Sequence, residues 1–125
     1  MLSAKFTMVN RLKSFKYAIN GIKIFFIKEH NARVHLFVAV LVILLGFLLK
    51  ISRFEWVALI MVIGFVFTLE IVNTALEQIC NFISPKINHN IKIIKDLAAA
   101  AVLVASIIAA LVGVLIFLPH FVNYF

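Results

Sequence analysis

WVALIMVIGFVFTLEIVNTALE, residues Trp56 to Glu77, is the stretch on which the fold turns. Its first fourteen residues, Trp56 to Leu69, carry no charge, and two of the five acidic residues in the chain, Glu70 and Glu77, follow directly. An ionised carboxylate held at hydrocarbon depth costs roughly 3 kcal/mol on insertion scales, so such a group faces a partner, a cavity or a substrate. On a helix the offsets of three and seven bring Glu70, Asn73 and Glu77 onto one face. The stretch therefore predicts an apolar rod with a polar stripe where it leaves the membrane.

Working outward, the composition agrees. Hydrophobic residues make up 65% of the 125 residues, and the mean hydropathy is +1.15. Soluble domains lie near about 45–50% apolar, so the fold class is all-α integral membrane, in one domain covering 1–125. The net charge of +7 raises the question of nucleic acid. The positive residues flank apolar runs, which fits lipid headgroups and membrane orientation and argues against a nucleic-acid partner. One cysteine, Cys80, permits no intrachain disulfide and no thiol cluster. No long apolar core follows the first basic residues, so no cleavable signal peptide is expected.

Residues 1–33 carry Lys5, Arg11, Lys13, Lys16, Lys23, Lys28 and Arg33 around a helical apolar stripe of Phe15, Ile19, Ile22 and Phe26. That pattern predicts an amphipathic helix lying in the membrane interface. Three membrane helices are expected next, over about 34–50, 54–83 and 96–118. The second stops at Ser84-Pro85, and its thirty residues reach about 45 Å against a hydrocarbon core of about 30 Å. Its last turns should therefore project into water, with Glu70 near the interface. The third, with Ser106 its one polar residue after Asp96, is expected to stop at Pro119. With a cytoplasmic amino terminus, ten positive residues fall on the inner side and only Lys50 and Arg53 on the other. The positive-inside rule favours that orientation, which gathers Glu29, Glu77, Lys95 and Asp96 at the cytoplasmic face with Glu70 just below it.

Each candidate also has an ordinary explanation. Glu29 could be a solvated glutamate paired with Lys28 or Arg33, or a ligand for a hard cation such as magnesium, with Glu77 as a second carboxylate. Glu70 and Glu77 could form a polar lock between subunits. Asp96 could complement a helix amino terminus and Lys95 anchor the chain at the inner face. Tyr17, His35 and Trp56 read first as interfacial residues. The alanine run Leu97 to Ala101 suits close helix packing. No P-loop pattern is present, so a nucleotide would be held by other means. Together, a base at the interface, two carboxylates for magnesium and a lysine for phosphate suit phosphoryl transfer to a lipid hydroxyl. A proton-coupled transporter protomer and a non-catalytic assembly subunit are the rival classes.

The run Leu69-Glu70-Ile71-Val72-Asn73-Thr74-Ala75-Leu76-Glu77, with Lys95-Asp96 and alanines after it, resembles the bacterial diacylglycerol kinase and undecaprenol kinase family. The resemblance runs from the Gly21 region to Pro119. It implies a homotrimer of small subunits, each with a surface helix and three membrane helices, and sites formed between neighbours. It also implies the bacterial cytoplasmic (inner) membrane, with the amino terminus and active site on the cytoplasmic side. By that resemblance Glu70 is the general base, and Glu29 and Glu77 bind the Mg2+ that bridges the phosphates of ATP. Tyr17, Lys95 and Asp96 contact the nucleotide, Asn73 organises the site, and Arg33, Trp56 and Ala99 line the lipid path. Glu29-x-Asn31 with His35, Glu55-Trp56, Ala98-Ala99 and Ile116 to Pro119 look nearer the undecaprenol kinase branch, with diacylglycerol as the alternative lipid. Two departures stand out: Asn81 where the family usually has aspartate, and Lys86-Ile87-Asn88 in a loop on the nucleotide side.

Overall fold

A computed structural model describes residues 7–86 and 88–124, and Lys5 of the basic segment lies outside them. The described residues form four helices: α1 (Met8–Lys28), α2 (His30–Leu48), α3 (Arg53–Ile83) and α4 (His89–Tyr124). The last three are long and apolar enough to cross a membrane. Most of their large apolar side chains are exposed, as expected where lipid rather than water is the surrounding medium.

Helix α1 starts where the Thr7 side chain accepts from the Asn10 N–H at 3.3 Å. It ends at Glu29, whose extended backbone (φ −99°, ψ 113°) separates α1 from α2 by a single residue. The Glu29 N–H donates to the Phe25 carbonyl at 3.0 Å, while its side chain makes no capping bond to α2. The carboxylate is thus held at a bend and left uncommitted. The first membrane helix consequently begins four residues earlier than the sequence suggests, and Arg33 and His35 ride on it.

The turn from α2 to α3 is tightly specified. Ile51 N–H donates to the Gly46 carbonyl and Lys50 N–H to the Phe47 carbonyl, the paired bonds of a Schellman ending. That ending places Lys50 in the left-handed region at φ 52°. Ser52 then opens α3 with a capping box, its hydroxyl accepting from the Glu55 N–H and its own N–H donating to the Glu55 carboxylate. Gly46 is required here, since a Cβ would lie 2.8 Å from the Trp56 ring and 3.1 Å from Ile51. Ile51, Leu59, Ile116 and Phe117 form the core cluster beside this turn.

Helix α4 departs from expectation at both ends. It begins at His89, where Asn88 Oδ1 accepts the Ile91 N–H at 2.9 Å, so Lys95 and Asp96 lie well inside the helix instead of opening it. It also continues through Pro119 to Tyr124. Proline removes one N–H donor, but one lost bond near the end of a 36-residue helix is not enough to terminate it. Helices α3 and α4 make the main packed pair, with Ala98 and Ala105 of α4 buried. Small residues let the two backbones approach closely.

Candidate active site

Two membrane helices and the α1–α2 bend bring the acidic chemistry together at one end of the bundle. Glu70 is 6% exposed, the one buried charged residue among those described. Its Oε1 lies 2.6 Å from His35 Nδ1 on α2. The contact has ion-pair distance without hydrogen-bond alignment. Glu70 Oε2 is buried with no partner. Glu29 lies within electrostatic reach of Glu70.

One turn further along α3, Asn73 Nδ2 donates to Glu77 Oε1 at 3.4 Å. A carboxylate only accepts, so this bond fixes the amide orientation and leaves Asn73 Oδ1 facing elsewhere. That oxygen too is buried without a partner. An unpaired buried acceptor costs about 1–3 kcal/mol, and here two occur three residues apart on one helix face. Such a cost is tolerated where a ligand supplies the missing donor or cation.

Asn73 and Glu77 offer oxygen donors on one face of α3, and Glu29 a further carboxylate at the bend, ligand types that suit a hard divalent ion. Among the described residues no three His, Cys, Asp or Glu side chains converge as a complete cage. Magnesium characteristically takes one or two carboxylates and completes its shell with water and phosphate oxygens, so the residues present fit it.

Lys95 projects from α4 and donates to Asn81 Oδ1 at 2.7 Å, joining the ends of α3 and α4. Asn81 is neutral, so the ammonium keeps its full charge for an anion. Asp96 is ion-paired with Lys92 one turn back at 2.6 Å, on the exposed face. In place of the helix-opening role that the sequence allowed for Asp96, the structure shows a surface pair.

An apolar cleft of about 530 Å³ lies between α2, α3 and α4. Its walls include Ala39, Leu59, Val66, Ala109 and Phe117, and His35 stands at the end nearest Glu70. Polar side chains in this lining are His35 and Ser106 alone. The cleft therefore connects a hydrocarbon-compatible space to the carboxylate through one imidazole.

Not every expected site residue joins this group within one chain. Tyr17 is 70% exposed on α1, about 18 Å along the helix from Glu29. Arg33 and Ala99 are exposed on α2 and α4. Trp56 packs against Phe47 in a tilted arrangement with ring centres 4.7 Å apart, beside the core cluster at the far end. It stands about 21 Å along α3 from Glu70, within reach of a long chain but not of its reacting end. The sequence passed over two contacts. His35, read as interfacial, touches Glu70, and the signal was a histidine inside an apolar helix. Asn81, noted only as a departure, holds Lys95.

Three membrane-length helices, with a buried carboxylate touched by a histidine that lines an apolar cleft, define a multi-pass membrane protein with its candidate site at one end. The chain belongs to the prokaryotic diacylglycerol kinase family, whose model matches residues 16–117. It is 40% identical over 107 residues to the undecaprenol kinase of Bacillus subtilis (strain 168), covering 86% of this chain and 87% of that one. It is 39% identical over 111 residues to a diacylglycerol kinase of Synechocystis sp. (strain ATCC 27184 / PCC 6803 / Kazusa), covering 88% of this chain and 63% of that one. The chain is thus an enzyme of the lipid kinase class.

Proposed function

We propose that this enzyme transfers the γ-phosphoryl group of ATP, with Mg2+, to the hydroxyl of a membrane lipid, undecaprenol in preference to diacylglycerol. The observation that carries the reading is Glu70: a buried carboxylate with one unpaired oxygen, beside the end of an apolar cleft. A lipid alcohol is the reactant that brings both a donor for that oxygen and a chain for the cleft. The residue pattern that looks nearer the undecaprenol kinase branch, with 40% identity to the Bacillus undecaprenol kinase, supports the isoprenoid alcohol.

In this reading Glu70 takes the hydroxyl proton as the lipid oxygen attacks the γ-phosphorus, in line with the departing diphosphate. Glu29 and Glu77 hold the Mg2+, which when bound neutralises charge on the phosphate oxygens. Asn73 fixes the Glu77 carboxylate, and Lys95 binds phosphate as a point charge held in place by Asn81. Catalysis consists of bringing a soluble and a lipid reactant into register and supporting developing charge. Tyr17 and Asp96 are assigned to the nucleotide, and Arg33, Trp56 and Ala99 to the lipid path. The exposed basic residues of α1 favour an amphipathic helix lying on an anionic inner leaflet. Tyr17 lies about 18 Å along α1 from Glu29, and in this reading a neighbouring subunit of a homotrimer brings it to the nucleotide.

The deciding experiment gives purified enzyme labelled ATP and Mg2+ with undecaprenol or diacylglycerol in mixed micelles. Label entering undecaprenol faster is the expected result. Label in diacylglycerol alone reverses the lipid assignment, and label in neither lipid overturns the reaction.

A further inference from the structure

The two oxygens of Glu70 are not equivalent. Oε1 is 2.6 Å from His35 Nδ1, whereas Oε2 is buried and has no partner. At 2.6 Å the ring nitrogen fills the space in front of Oε1, although the contact lacks hydrogen-bond alignment. Oε1 is thereby covered by the imidazole, with Glu70 entering the reaction as the carboxylate. Oε2, buried and unpartnered, is the oxygen left for a new donor.

We propose that His35 is a positioning residue that holds Glu70 Oε1, so that Oε2 is the atom receiving the proton of the acceptor alcohol. This rests on the phosphoryl-transfer reading above and assigns its proton step to one oxygen. In that step the O–H bond of the alcohol breaks and its proton passes to Oε2. The alcohol oxygen bonds to the γ-phosphorus as the bond from phosphorus to the diphosphate oxygen breaks. Glu70 is left as the neutral acid and returns the proton to water after the products leave. His35 itself touches none of the reacting atoms.

Three features place the burden on His35. It comes from α2, so it fixes the rotation of a side chain that α3 alone leaves free to turn about its own bonds. Its Nδ1 is buried against the carboxylate while the side chain as a whole is 33% exposed. It also lines the apolar cleft, whereas Glu70 does not, so the ring is the group that joins that space to the carboxylate. The other charged group near Glu70 is Glu29 at the α1–α2 bend, an acceptor that cannot take the place of the ring.

The test compares His35→Ala and His35→Asn with the unaltered enzyme in micelles. The Asn amide N–H stands near the position of Nδ1, while Ala leaves Oε1 unheld. The expected result is a kcat for His35→Ala lower by about 10- to 100-fold, part of the about 10²–10⁴-fold that a general base supplies. KM for ATP should stay within about twofold, because the nucleotide side is untouched. His35→Asn should recover most of the loss, and added imidazole should raise the rate of His35→Ala. Should His35→Ala fail to fold, His35→Leu, which fills the apolar wall, takes its place. Variants as active as the unaltered enzyme overturn the inference. So does equal impairment of His35→Asn and His35→Ala with no response to imidazole, the mark of a packing role. Unaltered enzyme that labels no lipid alcohol overturns the kinase reading itself, a separate outcome.

Discussion

Glu70 illustrates what one side chain discloses about its surroundings. Its position after fourteen uncharged residues marked it as a candidate, and the offsets to Asn73 and Glu77 placed three polar groups on one face. Two of the three, Asn73 and Glu77, meet through a hydrogen bond. The partner on α2 was not legible, because helix periodicity fixes a face but not how two helices are rotated against each other. Glu70→Gln should lower lipid phosphorylation by about 10²–10⁴-fold in the labelled-ATP assay, with the melting temperature in detergent held or raised. Retained turnover would remove Glu70 as the base. Glu77→Gln should abolish magnesium-dependent ATP consumption, whereas a proton-coupled transporter would be indifferent to it. Asn81 leads to a third outcome. It accepts from Lys95 without neutralising it, so Asn81→Asp should pair the ammonium and raise KM for ATP several-fold with little change in kcat.

Elements were read well where local chemistry closes them and poorly where it does not. The Ser84-Pro85 stop of α3 fell where expected, because Ser84 adopts an extended backbone there (φ −145°) and proline follows. Pro119 carried the same signal and failed as a stop. Neighbouring helical turns outweigh one missing donor when no capping residue accompanies it. The single-residue bend at Glu29 was also missed, since no glycine or proline marks it. The α2–α3 turn offers a direct check of these ideas. Lys50 occupies the position that a Schellman ending reserves for glycine, at about 1–2 kcal/mol of backbone cost. Lys50→Gly should therefore stabilise the protein by about 1 kcal/mol in thermal or denaturant unfolding. Gly46→Ala should cost about 1–3 kcal/mol, because its methyl meets the Trp56 ring at 2.8 Å. Opposite signs for two changes four residues apart would tie stability to this turn; equal signs would not.

Taken as one body, the chain has two unlike ends. One holds Glu70, Glu77, Lys95 and the bend at Glu29; the other holds the α2–α3 turn, the core cluster and His120, whose Nε2 lies 3.1 Å from both Glu55 oxygens. Ten of the twelve basic residues belong to the first end or to the segment before it, and Lys50 and Arg53 belong to the second. Three membrane-length helices in succession put the amino-terminal helix and the α3–α4 junction on one side. The α2–α3 turn and the carboxyl end fall on the other. A hydrocarbon slab of about 30 Å cannot cover the 31 residues of α3, about 46 Å long, so one of its ends must emerge. Charge decides which end. The stretch from Glu70 to Ile83 carries the polar stripe and leads into Lys86, while the opening at Arg53 runs straight into the apolar core cluster. The active end should therefore stand in the cytoplasm, where ATP is available. With Cys80→Ser as background, Lys86→Cys should react with a membrane-impermeant maleimide only in inverted vesicles, and Ser52→Cys only in right-side-out ones. Labelling of Lys86→Cys from outside would place Glu77 and Lys95 in a compartment without ATP. No geometry at Glu70 could then restore the kinase assignment.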